Sequence, residues 1–174
     1  DKPAQWVQRW TIDHMKLDPT CIQEMERITN PRESGALEHE IDWSEGNPHY
    51  SVSVFLAYQL RGLNSNLAHL LNEEGYVDID RVMAEYIPSS RYVCTPKLVA
   101  EIIRHNPKNR YSIKFERSDD LPTRVLIGAN QGHFEGLAID LTKTCTPISA
   151  ENIPSHCLHA TSFRNWTIIN GTDE

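Results

Sequence analysis

The sequence has few of the features that mark secreted, membrane-spanning or metal-dependent proteins. Its 174 residues contain four cysteines, none of them in a CxxC pair, and no histidine partner at zinc spacing. No apolar run approaches the roughly 20 residues that a membrane-spanning helix requires. The chain starts at Asp1 with neither a signal peptide nor a basic transit peptide. We therefore predict an intracellular protein with reduced thiols, no metal and no membrane contact, and leave both the cytoplasm and the mitochondrial matrix open.

Positive charge is also scarce, since 17 basic residues against 24 acidic ones leave a net charge of −7. A free-standing nucleic-acid binder is usually basic. The charge is uneven, however: residues 1–50 hold five basic and ten acidic residues, whereas residues 91–117 hold seven basic and two acidic ones. The middle of the chain could therefore meet a phosphate backbone, and the first 50 residues could not. An ordinary solvated surface is the alternative for the basic stretch.

Residues 1–50 are predicted to form an N-terminal arm and linker. Trp6 and Trp10 are four apart, as on one helical face, and Thr20 can cap a second helix that ends near Thr29. The stretch that follows, from residue 32 to residue 50, is rich in glycine, proline, asparagine and acidic residues, which is typical of a linker.

Residues 51–136 show a regular order of predicted elements. These are a helix over about 52–61, an extended piece at 76–77, a helix capped by Asp78 or Asp80, a helix that starts at Thr95-Pro96, and strands at 111–116 and 125–127 joined by a loop over 118–122. Helix, strand, helix, helix and hairpin is the order of a winged helix. Residues 137–174 are less regular, and only residues 137–141 are predicted as a strand.

Five segments, in order and at suitable spacings, resemble the NAD-dependent tRNA 2′-phosphotransferases, the KptA-like enzymes. They are residues 53–61 (SVFLAYQLR), 72–80 (NEEGYVDID), 107–113 (PKNRYSI), 127–133 (IGANQGH) and 158–161 (LHAT), followed by Trp166. The resemblance implies transfer of the 2′-phosphate at a splice junction to NAD. It also implies an α+β fold, with a winged-helix-like N-lobe that faces RNA over 51–136 and a truncated start of the ADP-ribosyltransferase-like NAD lobe over 137–174.

The chain departs from the family pattern where the resemblance implies the chemistry. Arg61 is kept, but the histidine expected beside it is Gly62. The arginine expected before the Ala-Asn-Gln-Gly-His run is Gly128, and the glycine of the family's His-Gly-Thr is Ala160. The chain also ends at Glu174, so we expect a later essential arginine to have no position. Because glycine has no side chain to stabilise a phosphate, we expect a degenerate, catalytically inactive member.

Six residues are candidates for contacts with RNA phosphates. The resemblance implies this role for Arg61, Asn130, Gln131 and His133, and their basic position before the predicted wing strand suggests it for Lys108 and Arg110. Each has an alternative. Arg61 could complement the dipole at the C-terminal end of its helix, the 130–133 run could satisfy backbone groups in a turn, and the other two could be solvated. His159 and Thr161, which would touch NAD in an intact enzyme, are expected to be vestigial.

The favoured function is an inactive 2′-phosphotransferase-like module, RNA-proximal or structural, within a larger ribonucleoprotein assembly. Its partners would be RNA, protein subunits or both, and no cofactor is expected in this chain. One alternative is an active NAD-dependent tRNA 2′-phosphotransferase completed by further sequence or a partner, with NAD as its co-substrate. Another is a winged-helix protein-interaction module without an RNA role.

Overall fold

The computed structural model describes residues 17–30, 32, 40–62, 64–86, 94–134, 136–144, 148–153 and 155. Its helices are α1 (Pro19–Thr29), α2 (Pro48–Arg61), α3 (Ile79–Tyr86), α4 (Pro96–His105) and α5 (Leu141–Thr144), with 3₁₀ turns at Ala68–Leu70 and Ala150–Asn152. Its strands are β1 (Tyr76–Asp78), β2 (Tyr111–Ser118) and β3 (Leu121–Ala129). The predicted α+β class is confirmed.

Three helices begin with the same local device, a capping side chain followed by proline at the first helical position. The predicted start of α4 is confirmed, since the Thr95 hydroxyl accepts a hydrogen bond from the Leu98 amide at 3.1 Å. The prediction that Thr20 caps α1 is wrong: Asp18 caps it, accepting from the Cys21 amide at 2.9 Å. Asn47 caps α2 ahead of Pro48, so this helix begins before the predicted start near residue 52. Proline without an amide hydrogen fits this first position, where no intrahelical bond is lost.

Replacing Asp18 with alanine should lower the free energy of unfolding by about 1 kcal/mol, because the first-turn amide of α1 loses its acceptor. Chemical denaturation followed by circular dichroism measures the change. Asp18→Asn is the matched control, since asparagine caps as well as aspartate. Equal destabilisation by both variants would contradict the capping role.

The sheet is antiparallel, with the strands in the order β1-β3-β2. Strands β2 and β3 form a hairpin whose two-residue turn, Asp119 and Asp120, has φ angles of 50° and 65°. Aspartate tolerates this left-handed conformation better than most residues, and such turns match the twist of paired strands. The loop predicted over 118–122 is therefore shorter, and both strands are longer than predicted.

Helix α1 packs into the same core as the elements that follow it. Ile22, Met25 and Ile28 are buried in one cluster with residues from α2, α3, α4 and the sheet. Ile41 is buried as well, and Trp43 packs against the cluster. The predicted boundary between residues 50 and 51 lies inside α2, so residues 17–30 and 40–50 are part of the folded lobe. The apolar face of α1 needs burial, and α4 and β3 provide it.

The strand predicted over 137–141 is wrong. Residues 138–140 have no regular structure, and α5 begins at Leu141. The Asp140 amide donates to the Glu73 carbonyl at 2.7 Å, and its carboxylate accepts from the Thr142 amide at 2.9 Å. Asp140 therefore caps the start of α5 and does not pair with a neighbouring strand. The segments with Trp6, Trp10 and Trp166 lie outside the described residues. No helix in the described part is long and apolar enough to cross a membrane.

Candidate functional site

Arg61 is the last residue of α2, and the 130–134 segment passes close over it. The Phe134 amide donates to the Arg61 carbonyl at 3.1 Å. A β-carbon on Gly132 would lie 3.3 Å from Arg61 Nη1, and the φ of this glycine is +77°. The close approach and the left-handed backbone both favour glycine here. The Gly-His run after β3 therefore covers the arginine that ends α2.

Two donor atoms of the Arg61 guanidinium are buried inside the described lobe. Its Nε and Nη2 atoms are buried and make no hydrogen bond within the described part of the chain. Burial lowers the pKa of Arg61, and the nearby charge of Arg110 adds to this effect. A buried donor without a partner typically costs about 1–3 kcal/mol. The Arg61 side chain also lines the cavity described below, so its charge faces any anion that enters there.

His133 lies in the same neighbourhood and has an unsatisfied ring atom. Its Nε2 is buried without a hydrogen-bond partner among the described residues, and a β-carbon on Gly75 would lie 3.2 Å from it. Burial lowers the pKa of His133, and the charge of Arg61 lowers it further. The two side chains are thus close enough for their charges to interact.

The lowered pKa of His133 predicts a pH dependence of stability. Since the folded-state pKa lies below the ordinary value of about 6.5, folding favours the neutral ring. The stability that comes from this preference for the neutral ring is fully present above about pH 6.5. It is lost as the pH falls through the folded-state pKa of His133. We expect His133→Gln to lose less unfolding free energy than the wild type between about pH 7.5 and about pH 5.5. Denaturant titrations at both pH values measure this, with exposed His69→Gln as the control. Equal losses in wild type and His133→Gln would contradict it.

A cavity of about 440 Å³ lies between α2 and residues 106–111. Three cationic side chains line it, Arg61, Lys108 and Arg110, and none of the described residues that line it is acidic. Other members of the basic 91–117 stretch are neutralised within the fold: Lys114 pairs with Glu74, and Arg117 with Glu26. Lys108 and Arg110 form no ion pair among the described residues. Arg61, Lys108 and Arg110 therefore give this cavity a positive charge.

Asn130 holds the loop that carries these two cations. Its side-chain amide donates to the carbonyls of Asn109 at 2.8 Å and Tyr111 at 3.1 Å, and its backbone amide donates to the Arg110 carbonyl at 2.8 Å. This geometry favours the alternative in which Asn130 satisfies backbone groups in a turn. Gln131 is exposed beside it. Asn130 thus positions the basic loop, and neither Asn130 nor Gln131 lines the cavity.

A buried hydrogen-bond network forms one side of the cavity, and the sequence did not predict it. The Tyr111 hydroxyl donates to the Ser53 carbonyl, and Asn106 Nδ2 donates to Ser53 Oγ at 3.3 Å. Burial raises the pKa of Tyr111, which keeps its hydroxyl protonated. A tyrosine at the start of a strand and an asparagine at a helix end are weak signals alone. Tyr111 lies in β2, Asn106 at the end of α4 and Ser53 in α2, so only the tertiary fold brings these three side chains together.

Gly62 and Gly128 stand where the family resemblance implies histidine and arginine, and both positions are crowded. A β-carbon on Gly62 would lie 2.6 Å from the Tyr58 carbonyl oxygen. A β-carbon on Gly128, which pairs with Tyr76 in the sheet, would lie 3.0 Å from the Gly75 carbonyl oxygen and 3.1 Å from the Tyr76 ring. A side chain at either position would therefore require neighbouring atoms to shift.

His159 and Thr161, the predicted NAD contacts, lie outside the described residues. Among the described residues no group of three or more histidine, cysteine, aspartate or glutamate side chains could hold a metal ion. Cys21 and Cys94 are buried and form no disulfide among the described residues. Burial raises the pKa of each thiol to about 12, with the Asp18 carboxylate adding to the effect on Cys21. At neutral pH both thiols are therefore expected to be protonated, the form that is the weaker nucleophile.

Comparison with known proteins decides the family. The model of the RNA 2′-phosphotransferase, Tpt1/KptA family matches residues 47–173, which include α2, the basic loop and the Gly-His run. The chain belongs to the RNA 2′-phosphotransferase family. Arg61, Gly62, Gly128 and His133 all lie within the matched residues of this family.

Curated relatives agree with the family match. A probable RNA 2′-phosphotransferase of Rhizobium leguminosarum bv. trifolii is 32% identical over 118 residues, covering 68% of this chain and 54% of the relative. Proteins of the same name from Rhizobium johnstonii and Rhizobium rhizogenes are 30% and 28% identical over the same shares. The chain thus spans about half the length of the RNA 2′-phosphotransferases it matches. No solved structure matches the chain significantly.

Proposed function

We propose that this chain binds a phosphate of RNA at Arg61 and does not itself catalyse 2′-phosphotransfer. The observation that carries the proposal is the partly buried side chain of Arg61, whose Nε and Nη2 atoms are buried without a partner among the described residues. An unpartnered buried charge is expensive to maintain. A phosphate ligand would account for its retention, and the family match supports RNA as the source of that phosphate.

The absence of catalysis is inferred from the two glycines. Charge at a transferring phosphate must be stabilised by positioned donors, and removal of one such donor typically slows a reaction about 10²–10³-fold. Gly62 and Gly128 supply no donor, and a β-carbon at either position would meet close neighbours. NAD is the co-substrate that the family resemblance implies. We assign no described residue to NAD binding.

The order of elements supports a docking role. Helix α2, strand β1, helices α3 and α4 and the β2–β3 hairpin follow the order of a winged helix, a fold that commonly presents a helix and a hairpin to nucleic acid. The acidic balance of residues 1–50 suits a protein partner rather than RNA. We therefore place the chain as an RNA-proximal or structural subunit of a ribonucleoprotein assembly, in the cytoplasm or the mitochondrial matrix.

A second candidate is an active enzyme. Because the chain spans about half the length of its relatives, further sequence or a partner could supply the missing donors and the NAD site. Direct binding separates the docking role from a purely protein-binding module. We expect a single-stranded RNA with one internal 2′-phosphate to bind more tightly than its 2′-hydroxyl counterpart, with an affinity that falls steeply as salt rises. Equal affinity for the two RNAs would overturn the phosphate site.

A further inference from the structure

The face of α2 that lines the cavity is an apolar stripe that leads to the phosphate site. Tyr50, Val54, Ala57 and Arg61 follow one another at helical spacing, and all four line the cavity. Tyr50 is 39% exposed and Val54 is 51% exposed, although both are large apolar side chains. A flat, accessible aromatic ring therefore lies on the same helical face as the unsatisfied guanidinium.

The opposite wall is basic. Pro107, Lys108 and Arg110 line it, and Trp43 closes one side with its ring edge-on to His49 at 5.9 Å between centroids. A partner in this cavity thus meets aromatic and aliphatic surface on one side and cations on the other. A purely apolar protein segment would leave three cations unmatched. A nucleotide matches both surfaces, because its base is flat and apolar on its faces and its phosphate is anionic.

The polar groups of the cavity are already engaged with each other. Ser53, Asn106 and Tyr111 form the buried network, and Asn106 Oδ1 accepts from the Lys108 backbone amide at 3.2 Å. The remaining donors of the cavity belong to its three cations, Arg61, Lys108 and Arg110, whose charge matches phosphate better than the edge of a base. Recognition by this cavity would therefore rest on stacking and charge, which tolerate any base.

We propose that this cavity takes a base of single-stranded RNA, stacked on Tyr50, next to the phosphate held at Arg61. The inference rests on the proposed function, because it assigns the nucleotide beside that phosphate. A base in a duplex is stacked on its neighbours and has no free face, so the site selects unpaired RNA. Base identity is not selected.

The test uses the full chain and two fluorescein-labelled single-stranded uridine oligonucleotides, each with one internal 2′-phosphate. In the second oligonucleotide the nucleosides flanking that phosphate lack bases. We expect the abasic RNA to bind on the order of 5-fold to 100-fold more weakly by fluorescence anisotropy. Tyr50→Ala should remove most of this difference. Tyr58→Ala is the matched control, because Tyr58 is an exposed tyrosine of the same helix that does not line the cavity.

The outcomes separate the base site from the phosphate site. Equal binding of both oligonucleotides, with Arg61→Met weakening each, would overturn the base site and leave the phosphate site standing. An unchanged difference in Tyr50→Ala, or equal losses in Tyr50→Ala and Tyr58→Ala, would also overturn it. Failure of both oligonucleotides to bind would overturn the proposed function and this inference together.

Discussion

Replacing Arg61 with methionine should stabilise the fold and weaken RNA binding at the same time. Methionine keeps the unbranched aliphatic stem of the side chain and removes two buried donors that have no partner among the described residues. Each such donor costs about 1–3 kcal/mol, and partial exposure of the side chain reduces the gain, so we expect the free energy of unfolding to rise by about 1 kcal/mol.

The same substitution removes the charge-assisted hydrogen bonds to the phosphate. Hydrogen bonds to charged groups contribute about 1.5–3 kcal/mol, so binding of 2′-phosphorylated RNA should weaken roughly 10-fold to 100-fold. Denaturant titration and anisotropy measure the two effects on one preparation. Arg81→Met is the matched control, since Arg81 is an exposed arginine on α3 that does not line the cavity.

The two measurements together distinguish a ligand site from a structural residue. If Arg61 only complements the helix dipole, Arg61→Met should lower stability by a few tenths of a kcal/mol to about 1 kcal/mol and leave RNA affinity unchanged. Lower stability with unchanged affinity would therefore contradict the anion site. A rise in stability with loss of binding is the expected result, and it would mark a residue kept for function at the expense of the fold.

Restoring the family residues at Gly62 and Gly128 should destabilise the protein without giving it activity. Gly62→His and Gly128→Arg each introduce a β-carbon against a backbone carbonyl oxygen, at 2.6 Å and 3.0 Å. Overpacking of this kind costs about 1–3 kcal/mol. Because the backbone must shift to admit either side chain, neither donor would reach the position that catalysis requires, and 2′-phosphate release should stay undetectable in the double variant.

Smaller substitutions show where the cost arises. Gly62→Ala should cost nearly as much as Gly62→His, since the β-carbon makes the close contact. At Gly128 the Tyr76 ring is fixed by a hydrogen bond of 2.7 Å between its hydroxyl and Ser112 Oγ, and Lys114 Nζ lies 4.2 Å from its ring centroid. Combining Gly128→Arg with Tyr76→Ala should therefore recover part of the loss in a double-mutant cycle. Strict additivity, or active single variants, would contradict the crowding argument.

The sequence predicts the fold best where a local signal is strong. Thr95 followed by Pro96 fixed the start of α4, and the alternation from Tyr111 onward identified β2. The same cap-and-proline pattern occurs at Asp18-Pro19 and Asn47-Pro48, where the observed starts of α1 and α2 differ from the predicted ones. The first turn of α2 therefore lies in the residues predicted to be a linker.

The tertiary contacts of the site could not be predicted in the same way. The motifs pointed to Arg61 and His133, but not to the burial of both or to their mutual approach, which depend on how the 130–134 segment crosses α2. Tyr50 and Trp43 carried no motif, although both line the cavity. Asn130 was a candidate ligand by resemblance and instead bonds to the backbone of the basic loop. Local sequence patterns identify residues with the side chains that binding requires. Tertiary packing determines which of these side chains face the cavity.

The most direct test of the account is a single-turnover assay with the full chain in excess over a radiolabelled 2′-phosphorylated RNA, in the presence of NAD. The fractions of RNA bound and of 2′-phosphate transferred are read from the same sample. The account predicts binding that requires Arg61 and no transfer over the time in which an active family enzyme completes the reaction. Transfer of the phosphate to NAD by the wild-type chain, abolished in Arg61→Met, would contradict it and show that another donor replaces the side chains absent at Gly62 and Gly128.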